Sequence, residues 1–300
     1  MHFTLYFFQI SLLLFHVVFE ESLNNEEHEH SEEFDYFDTH LHSIFLSNFE
    51  MSLLNTNGMK WCITASYASF RPNRGSNFEF LFDWQIHREA ERLRPLGIDC
   101  YSALGIHPRS IPKTSEEIKK ALEVVSNYVN SKLQIRNQNI VAIGEIGIES
   151  NSAIEKKVFE KQLQIAKQSD LPVIVHTPKN NKKEITKSII EIVDTFKPVK
   201  AIIDHVDQHN FLSVYGSDYY LGFTLQTGKL TSKIASELIN SYEIADRIVL
   251  NSDVCDVNNE MGGIINLITH LHDHGIDHKK FHKIIRDNAF RFFKIPKESK

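Results

Sequence analysis

From residue 34 onward, short apolar runs alternate with longer stretches of helical period. FDYFDTH, KWCITAS, IDCYSALGIHP, QNIVAIGEIG, LPVIVH, VKAIIDH, DYYLGFTLQ and DRIVLNSD form eight strand candidates. Runs such as VIV and AII are apolar at consecutive positions, the pattern of strands covered on both faces in a parallel sheet. Helical segments lie between them. SNFEMSLLNTNG ends at Gly58, and FEFLFDWQIHREAERLRPLG closes at Pro95–Gly97. Thr114 with Glu117 forms a capping box ahead of a helix reaching Asn130. Ser152 with Glu155 does the same for a helix whose apolar side carries Ile154, Val158, Phe159, Leu163 and Ala166. NKKEITKSIIEIVDTF, TSKIASELINSYE and two C-terminal segments complete the series. This alternation predicts an α/β fold, a (β/α)8 TIM barrel formed as a single domain by residues 34–300. An open doubly wound sheet is the competitor, but neither a GxGxxG nor a GxxxxGK[ST] turn supports it.

In a barrel the C-terminal strand ends share one face, where active sites of this fold sit. Strand one closes with His40 and His42, strand three with His107, and strand four with Glu145. Strand five closes with His176, strand six with His205, and strand eight with Asp253. Positions i and i+2 of a strand face the same side, so His40 and His42 converge. That spacing alone is a weak signal, because the chain holds 16 histidines and repeats it at His28/His30, His270/His272 and His272/His274. Recurrence of polar residues at successive strand ends is what marks a ligand set.

Imidazole and carboxylate ligands without thiolate suit zinc, manganese or magnesium. Four histidines and two carboxylates exceed one tetrahedral site, whereas two ions about 3.5–4 Å apart would use them all. The expected arrangement places Glu145 as the bridge, with His40, His42 and Asp253 on one ion and His176 and His205 on the other. Two such ions turn a bridging water into a hydroxide nucleophile near neutral pH, and Asp253 doubles as general base.

FDTHLHS, ALGIHP, AIGEIGIE, FEKQLQIAKQSDLPVIVHTP, LNSD and DNAFRFF occur in this order between residues 36 and 293. In that order they resemble the TatD family of metal-dependent hydrolases, among the amidohydrolase-like barrels. The resemblance implies a metal-dependent hydrolase of ester bonds, with the bridging glutamate at Glu145 and the late acidic ligand at Asp253. DHVDQ and NSDVC stand where typical bacterial members read closer to HCFSG and ETDAP. With GIHPRSIP, HTPKNNKKE and LQTGKL, that variant is similar to the archaeal branch. The deoxyribonuclease activity associated with the family comes from other branches, so metal binding carries over further than substrate does.

His107 is expected to face the site and meet a substrate phosphate or carbonyl oxygen without ligating metal. Lys179, Lys182 and Lys183 follow HTP, where a helix N-terminus beside the site would favour anions. Arg109 and Lys229 are the other candidates for substrate contact, and Asn251 for orienting a ligand.

Charge changes the picture little. Residues 1–33 hold seven Glu and no Lys or Arg, so the remaining 32 acidic and 33 basic residues nearly cancel. The formal net charge of −6 therefore belongs to the first segment, read as an apolar leader (1–19) and an acidic disordered linker. Three cysteines, no CxxC and no Asn-x-Ser/Thr sequon favour a cytoplasmic setting, and the leader keeps export or membrane anchoring as the minority alternative. Two enzyme readings follow: a phosphodiesterase acting on DNA ends, or a hydrolase of a small amide, ester or lactone on the same metals. A barrel that binds a partner and keeps metals only as staples is the non-enzymatic alternative.

Overall fold

Eight parallel strands follow one another in chain order around one sheet. They are β1 (Tyr36–Leu41), β2 (Met59–Ala65), β3 (Asp99–Ala103), β4 (Ile140–Gly147), β5 (Val173–His176), β6 (Ala201–Ile203), β7 (Tyr220–Thr224) and β8 (Ile248–Asn251). The computed structural model describes residues 34–68, 71–130, 139–255 and 260–297, so the leader and linker expected over 1–33 lie outside the described residues. β8 meets β1 through two backbone bonds: Asp253 N donates to His40 O at 2.8 Å and His42 N to Val254 O at 2.9 Å. This is the (β/α)8 barrel that the alternation predicts, with all eight residues of β4 buried as expected of a strand covered on both faces.

The described helices are α1 (Asn48–Thr56), α2 (Asn77–Asp83), α3 (Ala90–Leu93), α4 (Ser115–Asn130), α5 (Ala153–Ser169), α6 (Lys182–Asp194), α7 (Phe211–Tyr215), α8 (Ser232–Ser241), α9 (Gly263–Asp273), α10 (His278–His282) and α11 (Asn288–Phe293). A π-helical segment, Trp84–Glu89, joins α2 to α3 within the stretch expected as one helix. Between β6 and β7 the five-residue α7 is too short to show a helical period in sequence.

Three local expectations are corrected. At α4 only half of the capping box forms. Glu117 N donates to Thr114 Oγ1 at 3.3 Å, but the Glu117 carboxylate takes the Gly75 N–H at 2.6 Å instead of returning to the cap. The Ser152–Glu155 box does form in both directions. Ile154 is 43% exposed and so leaves the apolar side of α5. That side includes buried Gln162, whose amide holds both the N–H (2.7 Å) and the carbonyl (3.1 Å) of Ile106. The same contact explains why β3 stops at Ala103 rather than running through His107: past Leu104 the backbone is satisfied by α5, not by a strand.

Aromatic packing closes the end of the barrel where the strands begin. The Phe290 ring lies 5.4 Å from Phe37 and 5.0 Å from Trp61, and Phe293 lies 6.4 Å from Phe37. Residues of α11 thereby join Ile63, Ala142, Ile174, Ile202 and Val249 in one cluster. Each buried aromatic of this kind stabilises the fold by about 1.5–3 kcal/mol through loss of apolar surface from water. Among the described residues no helix is long and apolar enough to cross a membrane.

Candidate metal centre

The opposite end gathers the polar residues. His40 and Glu145 lie inside β1 and β4, and His176 is the last residue of β5. His42, His107, His205 and Asp253 stand in the loops just beyond β1, β3, β6 and β8. Asp253 is half-buried, and the other six are buried. Glu145 is at the centre. Its Oε1 is 2.7 Å from His176 Nδ1 and 3.0 Å from His205 Nε2, and its Oε2 is 3.4 Å from His40 Nε2 and 3.5 Å from His107 Nε2. Asp253 Oδ1 is 3.1 Å from His42 Nε2 and 3.7 Å from His40 Nε2. His205 and Asp253 both adopt the left-handed region, with φ of 56° and 49°. Such conformations cost roughly 1–3 kcal/mol each and persist only where the surroundings impose them.

Hydrogen bonds on the far side of each ring decide which nitrogen faces the centre. His42 Nδ1 is 2.9 Å from Ala65 O, which only accepts, so Nδ1 carries the proton and Nε2 presents a lone pair. His40 Nδ1 donates to Asp204 Oδ2 at 2.7 Å, leaving Nε2 buried without any hydrogen-bond partner. His176 Nε2 donates to Glu149 Oε2 at 2.6 Å, turning Nδ1 inward, and Nδ1 of His205 pairs with the Thr224 hydroxyl at 2.9 Å. The inward lone pair of His42 therefore opposes a carboxylate oxygen at 3.1 Å, and His176, set between Glu149 and Glu145, faces an acceptor on both nitrogens. Acceptors so placed repel unless a proton or a cation lies between them. Divalent ions fit this donor set.

His107 differs. Its Nδ1 accepts the Arg109 N–H at 3.0 Å, so the neutral ring carries its proton on Nε2 and offers the centre a donor. His107, Glu145 and His176 do come close enough together to hold an ion, but this tautomer argues for His107 as a hydrogen-bond donor instead. The cluster of His40, His42 and Glu145 has no such obstacle.

The electrostatics carry the same tension. Burial opposes charge on His40, but Glu145 and Asp204 outweigh it and hold the imidazole up at about 10. His176 is likewise raised against its burial by Glu145 and Glu149. His42 is pushed down to about 3 by burial and the charge of His40. His107 and His205 are driven well below the ordinary histidine range, chiefly by burial. Despite its own burial, Glu145 is held well below the usual carboxylate range by His40, His107 and His176.

The substrate-contact candidates fall into two groups. Arg109 is spoken for by Glu149 at 2.7 Å, and the Lys229 ammonium contacts Asp253 Oδ2 directly. Lys182, the first residue of α6, is pinned by Asp207 at 2.7 Å. Lys179 precedes the helix and Lys183 lies in its first turn, both exposed. Asn251 orients Asp204 (3.0 Å) rather than a neighbour of its own, and so acts on His40 at one remove.

Asp204 and Glu149 are the functional residues that sequence reasoning missed, although both lie within quoted segments, IIDH and AIGEIGIE. Room for Asp204 comes from Gly222 on β7, where an added Cβ would lie 1.7 Å from Asp204 Oδ1. Asp204 and Glu149 fix ring orientation as carboxylate partners of ligating histidines do.

A barrel with imidazoles and carboxylates converging at its C-terminal face is the architecture of metal-dependent hydrolases. A family model described as TatD related DNase matches residues 37–294. An uncharacterised metal-dependent hydrolase of Methanocaldococcus jannaschii is 28% identical over 261 residues, which cover 86% of this chain and 99% of that protein. The crystal structure of the TatD-like protein of Archaeoglobus fulgidus matches with a TM-score of 0.71 at 28% identity, covering 87% of this chain and 100% of that one. A shorter match, 27% identity over 94 residues, covers 30% of this chain and 33% of the 3′-5′ ssDNA/RNA exonuclease TatD of Citrobacter koseri. The chain belongs to the TatD family of metal-dependent hydrolases.

Proposed function

We propose that this hydrolase is a two-metal phosphodiesterase that trims DNA ends. The observation that carries the reading is the central position of Glu145, with one oxygen toward His176 and His205 and the other toward His40. His40, His42 and Asp253 would hold one magnesium, manganese or zinc ion, His176 and His205 the other, and Glu145 both. When bound, such ions supply Lewis acidity and activate water near neutral pH. The chain's own groups do the rest. His107 Nε2–H donates to a phosphoryl oxygen, and Asp253 accepts the proton released by the attacking water. Lys179 and Lys183, exposed at the start of α6, meet phosphate charge along the approach, and Arg109 and Lys229 join them only by giving up Glu149 and Asp253. The sparse, odd cysteine complement fits a cytoplasmic setting.

The near balance of acidic and basic residues after residue 33 favours a second reading, hydrolysis of a small amide, ester or lactone, because phosphate contacts dominate nucleic-acid affinity. The test uses the full chain with end-labelled single- and double-stranded DNA, in magnesium, manganese, zinc or EDTA. Metal-dependent trimming that Glu145→Ala lacks is the expected result. Absence of trimming alongside metal-dependent cleavage of a small ester would transfer the site to the second reading.

A further inference from the structure

The C-terminal helices carry histidines that the barrel centre does not use: His270 and His272 in α9, His274 just after it, and His278 and His282 in α10. His270/His274 and His278/His282 both have the i, i+4 spacing that puts two side chains on one helix face. The fold treats the two pairs differently. His270 and His274 stack, with ring centroids 4.0 Å apart and planes 32° apart, and His274 Nδ1 donates to His270 O at 2.7 Å. His278 and His282 cross at 76°, and their Nε2 atoms meet 3.0 Å apart.

The second pair stands on a firm platform. Asp277 caps α10 by accepting the Lys280 N–H at 3.0 Å. The helical run continues through a π-helical segment, Lys283–Asp287, into α11, and Phe281, Ile284 and Ile285 bury its inner side. His278 is exposed and His282 half-buried. Neutral imidazoles with the proton on Nδ1 present lone pairs at Nε2. At metal–nitrogen distances of about 2.0–2.1 Å, donors 3.0 Å apart subtend about 95° at a shared ion. That is close to the right angle of the tetragonal sites that suit nickel(II) and copper(II).

We propose that His278 and His282 form a second metal site, separate from the barrel centre, for a nitrogen-preferring divalent transition ion of the nickel or copper kind. Water would fill the remaining positions. Magnesium, which takes oxygen ligands, does not suit it. HKKFH has the histidine spacing of the helix motif H-E-x-x-H, but Lys279 stands in place of the glutamate that acts as general base. The site therefore binds without hydrolysing. An ion there would bridge one turn at the start of the run that ends in the aromatic plug, and so clamp that helix. Cations flank the pair: Lys279 and Lys280 are exposed, where solvent and salt screen them, and Lys283 is paired with Asp246 at 2.6 Å. None of this depends on the phosphodiesterase reading.

The test is equilibrium dialysis of nickel(II) against the full chain in excess manganese. Manganese competes for the barrel centre but stands lowest in the affinity order of these divalent ions, so it leaves the imidazole pair to nickel. The wild type should bind one nickel ion more than His278→Ala or His282→Ala. Loss of a ligand should cost at least the roughly 10- to 100-fold in affinity that loss of a ligand's hydrogen-bond partner costs. His270→Ala, which breaks the stacked pair of equal spacing, should leave that ion in place. Because His278 is exposed, His278→Ala removes a ligand without touching the buried side of the helix. Nickel binding unchanged in both variants, or weakened equally by His270→Ala, overturns the site.

Discussion

Where the strands begin, Phe290 and Phe293 pack against Phe37 and Trp61 in a plug made of carbon. Where they end, five imidazoles and the carboxylates of Glu145 and Asp204 are buried almost as completely as those rings. Burial stabilises the first end directly, at about 25 cal/mol per Å² of apolar surface. At the second it opposes every charge, and the cluster persists only because each group is held by another. The comparison separates two kinds of buried residue on the same strands. One end supplies stability, and the other uses that stability to hold together imidazoles and carboxylates that could bind metal.

Truncation at the plug is the largest expected effect. Phe290→Ala should lower unfolding free energy by about 3–5 kcal/mol in a denaturant titration while leaving metal affinity unchanged. Coupled loss of both would mean that the two ends are not separable. Asp204→Asn probes the other end. It removes the carboxylate that orients His40 and should weaken metal binding by about 10- to 100-fold in equilibrium dialysis. Unaltered affinity would show that His40 needs no such support.

The smallest effect is read against pH. Burial raises the Glu149 carboxyl, but His176 and Arg109 outweigh it and hold it down at about 2, against an ordinary 4.5. A depressed carboxylate contributes stability above its unfolded pKa and loses it as pH falls through the folded one. Metal-free protein should therefore lose this contribution between pH 4.5 and about 2, and Glu149→Gln should flatten that part of the profile. An identical acid profile in the variant would remove Glu149 from the network.

Much of the polar end is legible in the sequence because each strand announces itself as an apolar run and then breaks its pattern. VIVH, AIIDH and AIGEIG do so plainly. What is not legible depends on partners far away along the chain. Asp204 reads only as the polar step before His205 at a strand end until the fold brings it to His40, 164 positions earlier. Gln162 reads as a polar helix residue, yet it takes over the backbone of Ile106 and ends β3 early. The role of His107 turns on the proton that the Arg109 N–H displaces to Nε2, a matter of loop geometry no spacing rule contains. Tyr67 belongs to no motif, and only the convergence of β1, β2 and β3 places it among histidines.

The most direct test of the proposed shared-carboxylate centre is metal content after equilibration with manganese or zinc and exhaustive dialysis, for the full chain and for Glu145→Ala. Two ions per chain in the wild type, and loss of both from the variant, is the result this account predicts. A single ion in the wild type, or two retained by Glu145→Ala, would contradict it.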